Sequence, residues 1–306
     1  MKSVVMELEP AGLAQSDGAR SGLRDKFASY LELTKPRITF LIVLTSAAGF
    51  LMAAPGNINY LVFFHAMYGI ALLSSGLATI NQYMERDLDG LMRRTASRPL
   101  PSGKLAPREA LLLGLILLVG SEIYLALLVN PITAVFGVTV IVGYLFLYTP
   151  LKTRTSLSTV VGAFPGAMPP LMGWTAATGR VSAGGLVLFA ILFLWQFPHF
   201  LAIAWMYRED YGRAGIVMLP VVEPEGRVTA QQIVIYTLLL VPISLLPTVL
   251  GISGSIYLYG AITLGLLFLV CSLRTAFFRS RQEARRLLLA SVIYLPLLFV
   301  LMVLDR

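Results

Sequence analysis

The sequence predicts an all-α membrane protein whose nine transmembrane helices form one bundle. Of its 306 residues, 57% are hydrophobic and only 13% are charged, about half the charged fraction of a typical soluble domain. Nine stretches are apolar over the roughly 20 residues that a helix needs to cross a bilayer. The basic residues gather between alternate stretches, as in proteins whose loops lie on alternate sides of a membrane. These three observations argue against a soluble enzyme.

Residues 1–30 are predicted to be a disordered cytoplasmic tail, because they are polar, mixed in charge and lack the apolar core of a signal peptide. Residues 31–306 then form the membrane domain. Its spans must be helices, since backbone polar groups in lipid have to be satisfied within the segment. The predicted spans are residues 38–55, 60–84, 107–128, 131–149, 155–175, 183–206, 229–250, 255–273 and 286–304.

The distribution of positive charge predicts the orientation of the bundle. Of the 24 Lys and Arg residues, 22 precede the first span or lie in every second connection, and only Arg180 and Arg306 fall on the other side. The positive-inside rule therefore places the N-terminus in the cytoplasm and the C-terminus outside. This pattern accounts for the net charge of +8 without a nucleic-acid partner. The single Cys271 rules out an internal disulfide framework.

The richest chemistry lies in residues 81–103, NQYMERDLDGLMRRTASRPLPSG, at the cytoplasmic end of the second span. Asn81, Glu85 and Asp89 are four residues apart and share one helix face. One amide and two carboxylates suit Mg²⁺, and the arginines that follow suit phosphate oxygens. The alternative is an ordinary charged helix end in solvent. That alternative explains poorly why polar groups occupy the last turns of an apolar segment, where they are costly and usually functional.

This face on the second of nine helices resembles the UbiA superfamily of intramembrane prenyltransferases. Further phrases resemble its haem farnesyltransferase branch: LTKPRI at 33–38, YTPLKTRT at 148–155, GAMPPLMGW at 166–174, WQFPHF at 195–200 and DYGRAGIVMLP at 210–220. The resemblance covers about two thirds of the chain. It implies a multi-pass protein of the bacterial inner membrane with its active site at the cytoplasmic side.

The resemblance also implies residue roles. The catalytic set would be Asn81, Glu85, Asp89, Lys152 and Asp210. Mg²⁺ would be held by Asn81, Glu85, Asp89 and Asp210, and the diphosphate by Arg94, Arg98, Tyr148, Lys152 and Arg154. The second acidic motif departs from the superfamily, because Met206 stands four residues before Asp210 where many relatives have aspartate, so a second Mg²⁺ is in doubt. His199 is either an axial ligand of a haem substrate or a histidine that hydrogen-bonds the backbone freed by Pro198.

The implied reaction is Mg²⁺-assisted transfer of a farnesyl group from farnesyl diphosphate to a vinyl group of haem B. Both substrates and the bilayer are the expected partners, and a contact with the haem A synthase that uses the product is also expected. Two other hypotheses remain open at this point. The acceptor could differ, for example 4-hydroxybenzoate, or the protein could be a transporter, although transporters usually place their ionisable groups nearer the bilayer midplane.

Overall fold

The structure is a computed structural model that describes residues 11–54, 56 and 58–306, with side chains from residue 22 onward. The described chain is helical, with fifteen α-helices and one π-helical segment. The α-helices are α1 Ala11–Leu33, α2 Pro36–Ala53, α3 Tyr60–Leu91, α4 Pro107–Leu128, α5 Pro131–Ile141, α6 Thr149–Leu151, α7 Ser158–Gly166, α8 Met168–Thr178, α9 Ala183–Met206, α10 Arg208–Arg213, α11 Leu219–Val222, α12 Arg227–Ile243, α13 Leu246–Val249, α14 Ser255–Phe278 and α15 Arg281–Leu304. The π-helical segment, Val142–Tyr148, connects α5 to α6.

Eight helical stretches in the described chain are long and apolar enough to cross a membrane. They are α2, α3, α4, the continuous run α5 to α6, α9, the run α12 to α13, α14 and α15. The expected span at 155–175 is instead divided into α7 and α8, which have 9 and 11 residues and meet at Ala167. Pro165, Pro169 and Pro170 flank the break, and proline removes helical hydrogen-bond donors. The prediction of an all-helical membrane bundle is confirmed, but its count of nine is not.

The helices pack around two apolar cores. In the first core, buried side chains such as Phe50, Ile70 and Leu125 join α2, α3, α4, α5 and α8. In the second, Tyr257, Phe268 and the buried part of α15 join α9, α12, α14 and α15. Contacts between α8 and α9 and between α2 and α15 connect the two halves into one ring of helices.

The backbones of α2 and α8 approach each other closely at two glycines. A Cβ added to Gly173 would lie 1.8 Å from the carbonyl oxygen of Ser46, and one added to Gly49 would lie 2.0 Å from that of Pro170. Only glycine leaves room for this contact. The contact fixes α2, and with it the turn that leads into α2, relative to the rest of the first half.

The segment expected to be a disordered tail is described from residue 11 onward, and there it forms α1. The C-terminal part of α1 is held in place, because Leu33 is fully buried and Lys26 and Tyr30 both contact Glu109 at the start of α4. We therefore place the beginning of the ordered chain before residue 31. The expectation for residues 1–10 lies outside the described residues.

Candidate active site

Asn81, Glu85 and Asp89 lie together on the buried face of α3, with 2%, 8% and 1% of their surface exposed. The helix is regular to Leu91, so the four-residue spacing places all three on one side. A carboxylate is costly to bury without a partner. Each of the two carboxylates has one.

Glu85 pairs with Lys152, whose Nζ lies 2.5 Å from Glu85 Oε1. The same Nζ lies 4.4 Å from the centre of the Tyr148 ring, within reach of a cation–π contact. The π-helical segment ends at Tyr148, and Lys152 follows one turn later, directly after α6. Such segments are frequent at functional sites. Burial by itself would lower the pKa of Lys152, but Tyr148 and Glu85 outweigh burial and raise that pKa above the ordinary lysine value.

Asn81 and Asp89 are fixed by neighbours on either side of this pair. Asn81 Nδ2 donates to Thr149 Oγ1 at 3.3 Å. Arg98 Nη1 donates to both Asp89 oxygens, at 2.8 and 2.7 Å. Thr95 Oγ1 donates to the Asp89 carbonyl at 2.8 Å, which folds the loop after α3 back onto the helix end. This fold of the loop places Arg98 beside the acidic face.

The second acidic segment approaches the first through α10. Arg94 Nη2 donates to the Tyr211 hydroxyl at 3.2 Å, and the Val217 amide donates to the Lys152 carbonyl at 2.7 Å. Asp210 itself pairs with Arg213. The helix breaks at Tyr207, between α9 and α10, so Met206 and Asp210 are not related by a regular helical turn.

Two predicted site residues lie apart from this cluster. Arg154 is exposed and makes no ion pair with the described residues. His199 faces α15, where its Nδ1 hydrogen-bonds Ser291 Oγ at 2.7 Å and its ring stacks on Trp195 at 4.5 Å. The hydrogen bond observed for His199 is thus to a side chain of α15 and not to the backbone freed by Pro198, and its role toward haem stays a prediction.

The donor set of the buried face fits Mg²⁺. It offers two carboxylates and one amide oxygen, and Mg²⁺ usually takes few protein ligands and completes its shell with water and phosphate oxygens. Within the described residues no three His, Cys, Asp or Glu side chains are grouped as a metal site. Asp210 is paired with Arg213. The predicted metal ligands Glu85 and Asp89 are each paired with a predicted diphosphate ligand.

Sequence reasoning missed two residues at this site. Thr149 hydrogen-bonds Asn81, and its position within YTPLK was the available signal. Lys35, in the turn between α1 and α2, faces the charges of the cluster, and burial together with the positive charges of Arg98 and Lys152 lowers its pKa to about 8. Its backbone is left-handed, with φ of 47°, which is uncommon for a residue other than glycine.

Comparison with known proteins gives the class of this molecule. A profile of the UbiA prenyltransferase family matches residues 42–299. The chain belongs to this family.

Curated relatives that share one name match nearly the whole chain. The protoheme IX farnesyltransferase of Solibacter usitatus is 52% identical over 90% of this chain and 98% of its own length. The protein of the same name from Koribacter versatilis is 47% identical over 94% of this chain and 96% of its own length.

Solved structures show the fold. A digeranylgeranylglyceryl phosphate synthase matches with a TM-score of 0.78 at 20% identity, over 92% of this chain and 98% of its own. A UbiA homologue from Archaeoglobus fulgidus, bound to GPP and Mg²⁺, matches with a TM-score of 0.63 at 18% identity, over 90% and 99%. The bundle described above is therefore the fold of these membrane proteins.

Proposed function

We propose that this chain transfers a farnesyl group from farnesyl diphosphate to a vinyl group of haem B, which gives haem O. The proposal rests on one structural observation, the buried amide and carboxylates of α3 lying against Lys152 and Arg98. Its substrates follow from the relatives named protoheme IX farnesyltransferase, which match the chain at up to 52% identity over nearly their full length.

The protein is a multi-pass membrane protein, and we place it in the bacterial inner membrane with nine spans. In this arrangement α7 and α8 together form the fifth span, broken at Ala167. The positive-inside rule then puts the N-terminus and the acidic cluster on the cytoplasmic side and the C-terminus outside, since 22 of 24 basic residues fall on one side. Residues 31–306 form the prenyltransferase domain, together with the part of α1 that packs against it.

In the proposed site Asn81, Glu85 and Asp89 would hold Mg²⁺, which would supply positive charge to stabilise the departing diphosphate. The cations exchange partners when the substrate binds, because Lys152 leaves Glu85 and Arg98 leaves Asp89 for phosphate oxygens. Within these two pairs, each carboxylate and each cation thus has an opposite charge beside it both before and after binding. Arg94, beside the Tyr211 hydroxyl, and Tyr148 complete the diphosphate site. Asp210 could add a ligand once it leaves Arg213, and Arg154 would reach the diphosphate only by moving.

The reaction begins when the bond between the farnesyl carbon and the diphosphate oxygen breaks. Lys152 and Arg98 stabilise the negative charge that develops on the diphosphate, and the allylic cation remains in an apolar, water-poor bundle. The terminal carbon of the haem vinyl group attacks this cation. Water then captures the benzylic-type cation on the porphyrin side and loses a proton, which leaves a hydroxyethylfarnesyl group and free diphosphate.

The residue assigned to the haem iron is His199. Nδ1 of His199 is bonded to Ser291, so Nε2 is the atom with which His199 would ligate iron. Contact with a haem A synthase stays a prediction.

The function is tested by incubating the purified protein with haem B, farnesyl diphosphate and Mg²⁺ and measuring extracted pigments by mass spectrometry. We expect a product with the mass of haem O, lost in Asp89→Asn and in EDTA. A parallel incubation with 4-hydroxybenzoate tests the acceptor. Prenylated 4-hydroxybenzoate without haem O would overturn the choice of acceptor, and no product in either from folded protein would contradict prenyl transfer.

A further inference from the structure

The turn between α1 and α2 is held directly against the acidic face of α3. Gln82, which follows Asn81, donates from Nε2 to the Leu33 carbonyl at 2.8 Å. Thr39 at the start of α2 donates to the Thr34 carbonyl at 3.0 Å and contacts Ser74 Oγ of α3 at 2.9 Å. Leu33 also packs on Leu100 of the loop that carries Arg98. The turn is therefore fixed both to α3 and to that loop.

Lys35 lies at the centre of this turn and is partly buried. Its backbone is left-handed. The Lys35 amide donates a hydrogen bond to the Glu32 carbonyl, and Pro36, the first residue of α2, follows directly. A left-handed conformation is unfavourable for lysine, and such residues persist where the surrounding structure imposes them, often at ligand sites. Asparagine or glycine would satisfy the backbone better, so the local structure gives no reason for a lysine here.

The charges that face Lys35 come from three elements: Glu85 and Asp89 from α3, Arg98 from the loop after it, and Lys152 from the end of α6. The two carboxylates are already paired, with Lys152 at 2.5 Å and with Arg98 at 2.7 Å. Among the described residues Lys35 makes no ion pair with a carboxylate. Among these five charges three are positive and two negative, and Lys35 is the cation that no carboxylate pairs. Arg94 also lacks a carboxylate partner among the described residues, but it donates to the Tyr211 hydroxyl.

We propose that Lys35 binds the diphosphate group of the prenyl substrate, as a cation that is available before either ion pair opens. This inference rests on the proposed function and adds a residue to its binding site. An incoming diphosphate can bind Lys35 without displacing a carboxylate, and this contact stabilises the anion while Lys152 and Arg98 leave their carboxylates. The low pKa of Lys35 agrees with this position, since it reflects burial beside two other cations and a bound anion would raise it again.

The test is equilibrium binding of farnesyl thiolodiphosphate, an unreactive analogue, to purified protein with and without Mg²⁺. Lys35→Asn removes the charge and suits the left-handed backbone, so the variant should unfold at the same temperature as the wild type or higher. We expect its affinity to fall about ten- to a hundredfold, the range for a lost hydrogen bond to a charged group. Lys35→Arg keeps the charge and should retain most of the affinity.

Two controls separate a role at the diphosphate from other effects. Lys104→Asn removes an exposed lysine from the loop before α4 and should bind like the wild type. The Lys35→Asn substitution should weaken the binding of inorganic diphosphate by the same factor as that of the farnesyl analogue, because Lys35 is proposed to contact the diphosphate group that both share. A loss confined to the farnesyl analogue would contradict the proposal.

The outcomes separate the role of Lys35 from the proposed prenyltransferase function on which it rests. Wild-type protein that shows no Mg²⁺-dependent binding would overturn both. Wild-type binding with an unchanged affinity in a folded Lys35→Asn variant would overturn the role of Lys35 alone. An equal loss in Lys35→Arg and Lys35→Asn would also count against it, since a charge contact should tolerate arginine.

Discussion

Replacing Gly162 by alanine should displace Tyr148 and slow farnesyl transfer. A Cβ at Gly162 would lie 2.5 Å from Cδ2 and 2.6 Å from Cε2 of the Tyr148 ring, against 3.4–4 Å for an ordinary contact. The ring must therefore move by about 1 Å. Lys152 lies 4.4 Å from that ring and 2.5 Å from Glu85, so the movement carries to the cation that we assign to the diphosphate.

A misplacement of about 1 Å at a catalytic constellation can cost about 100-fold in rate, or about 2.7 kcal/mol of transition-state stabilisation. We expect this loss in kcat/KM for haem O formation, measured by mass spectrometry. The overpacking itself should lower the free energy of unfolding by about 1–3 kcal/mol. Gly120→Ala is the matched control, because a Cβ on that glycine of α4 meets nothing within 4 Å. A kcat/KM for Gly162→Ala within twofold of the control would refute the reasoning.

Four further predictions follow from other contacts. Gly173→Ala should lower the free energy of unfolding by about 3 kcal/mol, measured by denaturation in detergent. The added Cβ would clash with the Ser46 backbone, and a side-chain rotation cannot relieve that clash. A cost under about 1 kcal/mol would contradict the close approach of α2 and α8. Glu122→Leu should raise the free energy of unfolding by about 1–3 kcal/mol and leave haem O formation unchanged. The reason is that both carboxylate oxygens of Glu122 are buried without a partner among the described residues. A loss of haem O formation would contradict this and would give Glu122 a role in the reaction. Mg²⁺ and inorganic diphosphate should each bind at least about tenfold more tightly in the presence of the other, measured by calorimetry. Mg²⁺ alone would leave the two cations of the ion pairs without a partner, and diphosphate alone would leave the two carboxylates without one. Independent binding would refute the exchange of partners. Finally, affinity for farnesyl thiolodiphosphate should be highest below pH 8 and fall as the pH rises through about 8, where Lys35 loses its proton, and Lys35→Asn should lack this dependence.

The sequence was sufficient for those features that depend on local periodicity. Apart from the stretch at 155–175, the apolar stretches predicted the ends of the long helices to within seven residues. As expected, α3 carries Asn81, Glu85 and Asp89 on one buried face. Both predictions depend only on helix geometry and on the length needed to cross a bilayer.

The remaining features depend on contacts between distant segments. The division of the predicted span at 155–175 into α7 and α8 occurs beside three prolines, and hydropathy averaged over a window does not register it. Lys35 lies beside the site because several contacts hold its turn against α3, among them the hydrogen bond that Gln82 donates to the Leu33 carbonyl. No periodicity in residues 33–38 predicts that bond.

The sequence also did not predict which carboxylate pairs with which cation. The motifs gave Glu85 and Lys152 separate roles, one toward the metal and one toward the diphosphate. Without substrate the two side chains instead satisfy each other, because a buried charge takes the nearest opposite charge. The same applies to Asp210, which is paired with Arg213.

The central claim is that Mg²⁺ and diphosphate replace these internal ion pairs on α3. The most direct measurement is a structure of the full chain with farnesyl thiolodiphosphate and Mn²⁺, which anomalous scattering locates in place of Mg²⁺. We predict a Mn²⁺ peak among Asn81, Glu85 and Asp89, with Lys152 and Arg98 moved onto phosphate oxygens. A diphosphate bound elsewhere, with the Glu85–Lys152 and Asp89–Arg98 pairs intact, would contradict the account.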